Sequence, residues 1–410
     1  MDKINNRRHI GGTKMKLNKW TLGLAALGAV SLASVAQAEE KVLLDTKAEL
    51  TSTTISGYVN TSAAWDFGKN ASRANTRGYA FSQGKGDGFN LDVVDLALEK
   101  ALDESEWAAG YKAEFWFGPD VNLLGTKNAL DTGGAAIKQA YVSLRTPVGN
   151  GIDWKVGVFD TITGYEATNA GDNPNYSHSW GYSIGARQHT GILASYRFTE
   201  NISASAGIAD TWDSVINNRV ANVSTGSTQD SVKTYMASIA LTAPESFGFL
   251  EGGTLYAGVV SGKVGSAAGS SARTSWYVGV TVPTPWESLK AGAAFDYVHI
   301  DNRVGNSNGD SSALALYVSH ATTEKLTLHG RLDYIRVGGD GLPAGGGILG
   351  AAYAPTTEIL STTVTADYQL WRNVISRAEL RWDHDLDSRT LRTATTDDEF
   401  TLLANIIYKF

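Results

Sequence analysis

The chain has 410 residues, of which 35 are basic and 42 acidic, and it contains no cysteine. A formal charge of −7 argues against a nucleic-acid partner, which calls for a basic face. Zero cysteines rule out disulfide staples and thiolate metal sites.

At the N-terminus, Lys16 and Lys19 precede an apolar stretch from Trp20 to Val35 that ends in Ala36-Gln37-Ala38, a small-x-small pattern. Residues 1–38 therefore read as an upstream extension followed by an export signal, with Met15 as the biological start and Glu39 as the mature N-terminus. Cleavage there would remove Lys3, Arg7, Arg8, Lys14, Lys16 and Lys19 but only one acid, Asp2, so the remainder is more acidic than the whole. Past Ala38 no run approaches the roughly 18 apolar residues that a spanning helix needs. Any membrane crossing must be made by strands.

Residues 39–54 read as a short tail on the periplasmic side. From 55 to 410 no linker or composition shift divides the chain, and alternation of period two recurs throughout. In the first strand, Ile55, Val59, Ala63, Trp65 and Phe67 share a face opposite Ser56, Asn60, Ser62 and Asp66. Phe89 to Lys100 changes parity between Val93 and Val94, which predicts a bulge. Trp107 to Phe117 sets aromatic residues and alanines against Lys112 and Glu114, Ala136 to Arg145 sets Ala140, Val142 and Leu144 against Gln139, Tyr141 and Arg145, and Trp154 to Asp160 sets Trp154, Val156 and Val158 against Lys155. Further strands begin near Gln188, Asn201, Val232, Thr254, Arg273, Leu289, Ala313, Leu326, Ile359 and Val374.

In the last segment, Phe400, Leu402, Ala404, Ile406, Tyr408 and Phe410 form an apolar face, and an aromatic end of this kind resembles the assembly signal of bacterial outer-membrane barrels. That makes about sixteen strands, with 14 to 18 as the range. Charges keep to one parity, as in Arg331 and Asp333 or Arg377, Glu379, Arg381 and Asp383, which suits the wall of a wet lumen.

Short connections, such as 102–106, 147–152 and 369–373, alternate with long ones at 68–88, 118–135, 160–187, 210–231, 261–272, 300–312, 336–357 and 384–399. Sorting loops by end is the habit of a transmembrane barrel with short periplasmic turns and long outer loops. The expected fold is an all-β, antiparallel transmembrane β-barrel. The connection 243–253 is long for its class and could hide an extra pair of strands.

Ile137-Lys138-Gln139-Ala140-Tyr141-Val142, Val156-Gly157-Val158-Phe159, Gly164-Tyr165-Glu166, Asn173-Pro174-Asn175-Tyr176-Ser177 and Thr190-Gly191 resemble the OmpL-like putative beta-barrel porin family of Gram-negative bacteria. The resemblance implies an outer-membrane diffusion channel for small hydrophilic solutes, assembled by the barrel machinery in contact with outer-membrane lipid. By analogy with general porins a homotrimer is implied, with the third long loop folded inward as a constriction.

Tyr165, Glu166, Asn169, Asp172, Asn173, Asn175, Tyr176, Ser177 and His178 are the constriction candidates, because a solute that sheds water needs such replacements. Lys112, Glu114, Lys155, Arg197, Arg331, Asp333, Arg377, Glu379, Arg381 and Asp383 are the candidates for a charged wall opposite that loop, and Tyr408 and Phe410 for the assembly signal. The rivals are an outer-membrane barrel enzyme, such as a phospholipase with a histidine-activated serine, and a closed structural or adhesive barrel. The seven histidines show no metal-ligand spacing, and no cofactor or metal is expected.

Overall fold

The computed structural model describes residues 53–67, 85, 88–126, 134–222, 227–228, 232–266, 269–302, 307–339, 357–387 and 397–410. The signal at 1–38, residues 39–52 of the tail and parts of most of the long connections lie outside the described residues.

Sixteen antiparallel strands close into one barrel. They are β1 Thr54–Phe67, β2 Gly88–Lys100, β3 Ala108–Phe117, β4 Ala135–Thr146, β5 Ile152–Asp160, β6 Gln188–Arg197, β7 Ile202–Ala209 and β8 Thr234–Thr242. The second half comprises β9 Thr254–Ser266, β10 Gly269–Pro283, β11 Leu289–Asn302, β12 Ser307–Ala321, β13 Leu326–Gly339, β14 Thr357–Trp371, β15 Val374–Asp385 and β16 Asp398–Lys409. A two-stranded ribbon, 221–222 with 227–228, stands apart in the connection after β7. Closure joins β16 to β1 in the register Tyr58↔Lys409 through Phe67↔Phe400, and Gly57 and Phe410 exchange both main-chain hydrogen bonds at 3.0 Å. Pairing every strand with two neighbours removes the edges that hydrocarbon could not tolerate.

Alternation decides which side chain meets which environment. On β16, Phe400, Ile406 and Tyr408 are exposed outward while Thr401, Leu403, Asn405 and Ile407 are buried inward. Outward Val142, Ile192, Leu255, Val278, Leu316, Leu332, Val364 and Leu380 continue the apolar band around the wall. Trp107, Trp286 and Trp371 are exposed at the end bearing the short turns, and Phe67, Phe89 and Phe400 at the other, giving two aromatic girdles.

Three local expectations change. The bulge in β2 falls one residue earlier than its apolar pattern suggests: Asn60 pairs with Val93 and Thr61 with Leu91, which leaves Asp92 as the extra residue and turns Val93 inward. A second bulge, in β4, leaves Lys138 unpaired between Gln139 and Ile137. The connections assigned to 261–272 and 300–312 are instead largely strand, since β9 and β10 pair out to Ser266↔Gly269 and β11 and β12 out to Asn302↔Ser307. Ladder hydrogen bonds need no apolar period, so polar, Gly- and Ser-rich extensions escape a reading based on alternation. The long connection 243–253 holds a 3-10 turn, Glu245–Leu250, and adds no strand.

Candidate functional site: a loop clamped inside the barrel

The connection between β5 and β6 runs inside the barrel. It carries a short helix, α1 Trp180–Ile184, whose N-cap Ser179 accepts a hydrogen bond from the Tyr182 amide at 3.4 Å. Trp180 and Ile184 pack on inward-facing Val298, Ile300, Ala313, Ile335, Val337 and Ile359. Those wall positions are apolar although they face the lumen, because the loop and not water covers them.

A loop inside a barrel must still satisfy its own amides and carbonyls. Two wall carboxylates and two guanidiniums do most of this. Glu379 accepts from the amides of Tyr176 at 2.6 Å and Ser177 at 3.0 Å, and from the Thr365 hydroxyl at 2.7 Å. Asp333 accepts from the Trp180 amide at 3.0 Å and pairs with Arg331 at 3.0 Å. Arg331 donates to the Ser177 carbonyl at 2.6 Å and the His178 carbonyl at 3.1 Å, and Arg381 to the latter at 2.8 Å. Asp383 holds Arg381 at 2.9 Å. Ser361 accepts from the Trp180 indole at 2.7 Å and donates in turn to Asp383. Arg331 and Arg381 are at most 2% exposed, which is tolerable only because their donors are so fully used.

Within the loop, Glu166 accepts from Tyr317 at 2.9 Å, Arg331 at 3.2 Å, His178 at 2.9 Å and the Ser179 amide at 2.9 Å. Burial pushes its carboxyl up, but Arg331, His178 and the Ser179 amide outweigh burial and hold it at about 2. Burial lowers His178 from its ordinary value, against the opposing pull of its contact with Glu166. The imidazole stacks on Tyr182 at 3.8 Å.

All the loop residues singled out from sequence lie inside the barrel, attached to different walls. Tyr165 stacks on Tyr317 at 4.2 Å and accepts from Thr281 at 3.1 Å. Asn169 reaches Glu114 on β3 at 3.2 Å, Asp172 meets Lys409 at 3.3 Å, and Asn175 donates to Thr365 at 2.7 Å. Asn173 braces the loop itself, donating to the Ala167 carbonyl at 2.6 Å and accepting from its amide at 2.8 Å. Tyr176 donates to Asp92 at 3.1 Å, and Ser177 is 1% exposed under Arg331.

The wall residues divide. Arg331, Asp333, Glu379, Arg381 and Asp383 lie beneath the loop, as does Arg377, which donates to the Ala170 carbonyl at 2.7 Å. They do not face the loop across a lumen, and this corrects the expectation of an opposing charged wall. Glu114 is buried between Lys112 at 3.0 Å and Lys138 at 3.2 Å. Lys112, Lys155 and Arg197 are half-buried on β3, β5 and β6, with the Lys155 ammonium 4.9 Å from the centre of the Tyr141 ring.

Sequence reasoning missed Asp92, Lys138, Tyr317, Thr365 and Arg187. The first two sit at bulges, where parity alone misassigns a face. Among the described residues no group of His, Asp and Glu is arranged to hold a metal ion.

A closed sixteen-stranded barrel with its third long connection folded inside has a porin-like architecture. The chain belongs to the family described as Putative beta-barrel porin-2, OmpL-like, whose model matches residues 52–410. It is similar to the anion-selective porin from Comamonas acidovorans, with 13% identity, coverage of 88% of this chain and 99% of that one, and a TM-score of 0.56. It is similar also to the outer membrane channel DcaP of Acinetobacter baumannii, with 16% identity, coverage of 87% and 97%, and a TM-score of 0.54. The trimer form of in-vitro folded OmpT, an outer membrane protein of Vibrio cholerae, gives 12% identity, coverage of 87% and 99%, and a TM-score of 0.55. At such identities the likeness is one of fold. No curated protein matches the chain.

Proposed function

We propose that the protein is an outer-membrane porin, a passive diffusion channel for small hydrophilic solutes with the 160–187 loop as its constriction. The observation that carries this reading is the clamp: the loop is held inside a sixteen-stranded barrel by buried contacts from β13, β14 and β15. Eight strands fill their interior with side chains, whereas sixteen enclose more space than one loop fills.

The route for solute lies along the wall of β3 to β6, where Lys112, Lys155 and Arg197 are half-buried beside Glu99. Glu114, Asp153 and Asp160 share that wall, so the route offers both signs of charge to a polar solute. An export signal ending near Ala38, an assembly signal in Tyr408 and Phe410, and a homotrimer like the trimer form of the OmpT relative complete the proposal. Transport is permeation without chemistry, so the protein is a channel and not an enzyme.

The close fit of the loop, with Asn173, Asn175 and Ser177 at most 3% exposed, favours one alternative, a closed structural barrel. Single-channel recording of the refolded chain from Glu39 in a planar bilayer under a salt gradient separates the two. Discrete steps support the channel, with the reversal potential giving its selectivity, and silence from demonstrably inserted protein supports the closed barrel.

A further inference from the structure

A partly open cavity lies between the inward loop and the wall, with Gly181, Tyr182 and Arg187 of the loop and Asp296 of β11 among its lining. Arg187 is 7% exposed, its guanidinium 4.6 Å from the centre of the Tyr182 ring. Nη1 donates to the Leu123 carbonyl at 2.7 Å, while Nε and Nη2 are buried without a hydrogen-bond partner. These two N–H groups share one edge of the guanidinium, the fork that grips a carboxylate with two parallel bonds. The Tyr182 hydroxyl is buried without a partner as well. Burial with no carboxylate beside it lowers Arg187 from its ordinary value.

Asp296 is also 7% exposed, and among the described residues it makes neither an ion pair nor a hydrogen bond. Glycine at 181 allows the helix this close, since a Cβ there would lie 2.3 Å from Asp296 Oδ2. The other acids lining the cavity are already engaged, Glu166 by Arg331 and Tyr317, Asp160 by Lys138 and Gln188. Arg187 and Asp296 both line this cavity, and among the described residues neither is held in an ion pair. Burying either charge unpaired is costly. A simple anion would satisfy Arg187 but meet Asp296, and a simple cation would meet the reverse conflict.

We propose that this cavity is a binding subsite for small zwitterionic solutes of the α-amino acid kind, with Arg187 taking the carboxylate and Asp296 the ammonium group. The proposal rests on the channel reading, in which such a solute reaches the loop from the lumen. Titration calorimetry on the refolded, detergent-solubilised barrel tests it with L-serine, its decarboxylated analogue ethanolamine, and glycolate, which lacks the amine. Saturable binding of L-serine is expected, at least about tenfold tighter than either analogue. Arg187→Gln and Asp296→Asn should each weaken it by about tenfold or more, and Arg187→Lys by less. Equal binding of all three solutes, no binding of L-serine, or its persistence in both variants would overturn the subsite. A barrel that binds L-serine but conducts no current would overturn the channel and leave the subsite standing.

Discussion

The wall formed by β13, β14 and β15 and the wall formed by β3, β5 and β6 both carry charge toward the inside of the barrel, yet they meet different surroundings. Arg331, Asp333, Glu379, Arg381 and Asp383 are at most 3% exposed, and all but Asp383, which holds Arg381, bond to the backbone of one loop. Lys112, Lys155 and Arg197 are half-buried, and Lys155 rests on an aromatic ring. Charge on a lumen-facing parity thus has two uses, and the alternation that reveals it does not distinguish them. What separates them is whether a loop covers the wall.

Breaking the dry wall should have the largest effect. Glu379→Ala strips acceptors from two buried amides and Arg331→Ala strips donors from two carbonyls, and loss of one partner from such a buried set costs about 3–5 kcal/mol. The expected result is a released loop in an intact barrel. New protease cleavage within 160–187 and a larger single-channel conductance would show it, and an unchanged conductance in both variants would remove the loop from the constriction.

Acid should loosen the same clamp more gently. The Glu166 carboxyl is held at about 2 in the folded protein against an ordinary 4.5. A depressed acid contributes stability above its unfolded value, and that contribution fades as pH falls from about 4.5 toward 2, a change of about 3 kcal/mol in all. Hydrogen-exchange protection in the loop, corrected for the intrinsic pH dependence of amide exchange, should fall between pH 6 and pH 3 in the wild type and stay nearly constant over that range in Glu166→Gln.

Smaller still, Asn175→Ala removes one buried hydrogen bond to Thr365 and should cost about 1 kcal/mol, readable as a lower thermal midpoint for loop release. At the wet wall, Lys155→Glu should shift stability by less than about 0.5 kcal/mol while moving the reversal potential toward cations. A large loss of stability with unchanged selectivity would place Lys155 among the clamps and dissolve the contrast.

The sequence makes the barrel readable because lipid on one side and polar surroundings on the other impose period two on nearly every strand. Ile55, Val59, Trp65 and Phe67, or Phe400, Ile406 and Tyr408, declare their face without help. The apolar inward positions do not. Ile335 and Val337 continue the inward parity of Arg331 and Asp333, and nothing local says that Trp180 and Ile184 will cover them. The inward loop was marked by its place as the third long connection, by analogy with general porins, and its asparagines, serines and tyrosines suited that place. Its attachments were not legible, since Tyr176 to Asp92 and Asn175 to Thr365 join residues far apart in the chain.

The two bulges have a consequence for how such a protein can change over generations. Asp92 and Lys138 are surplus to the alternation, so excising either codon would leave every lipid-facing residue of β2 and β4 on its present side. Each deletion would nevertheless erase one inward charge, Asp92 with its hydrogen bond from Tyr176 or Lys138 with its pairing to Glu114 and Asp160. Single-codon insertions and deletions, usually ruinous in a strand, become at these two places a way to retune the interior while the surface seen by the membrane stays as it was.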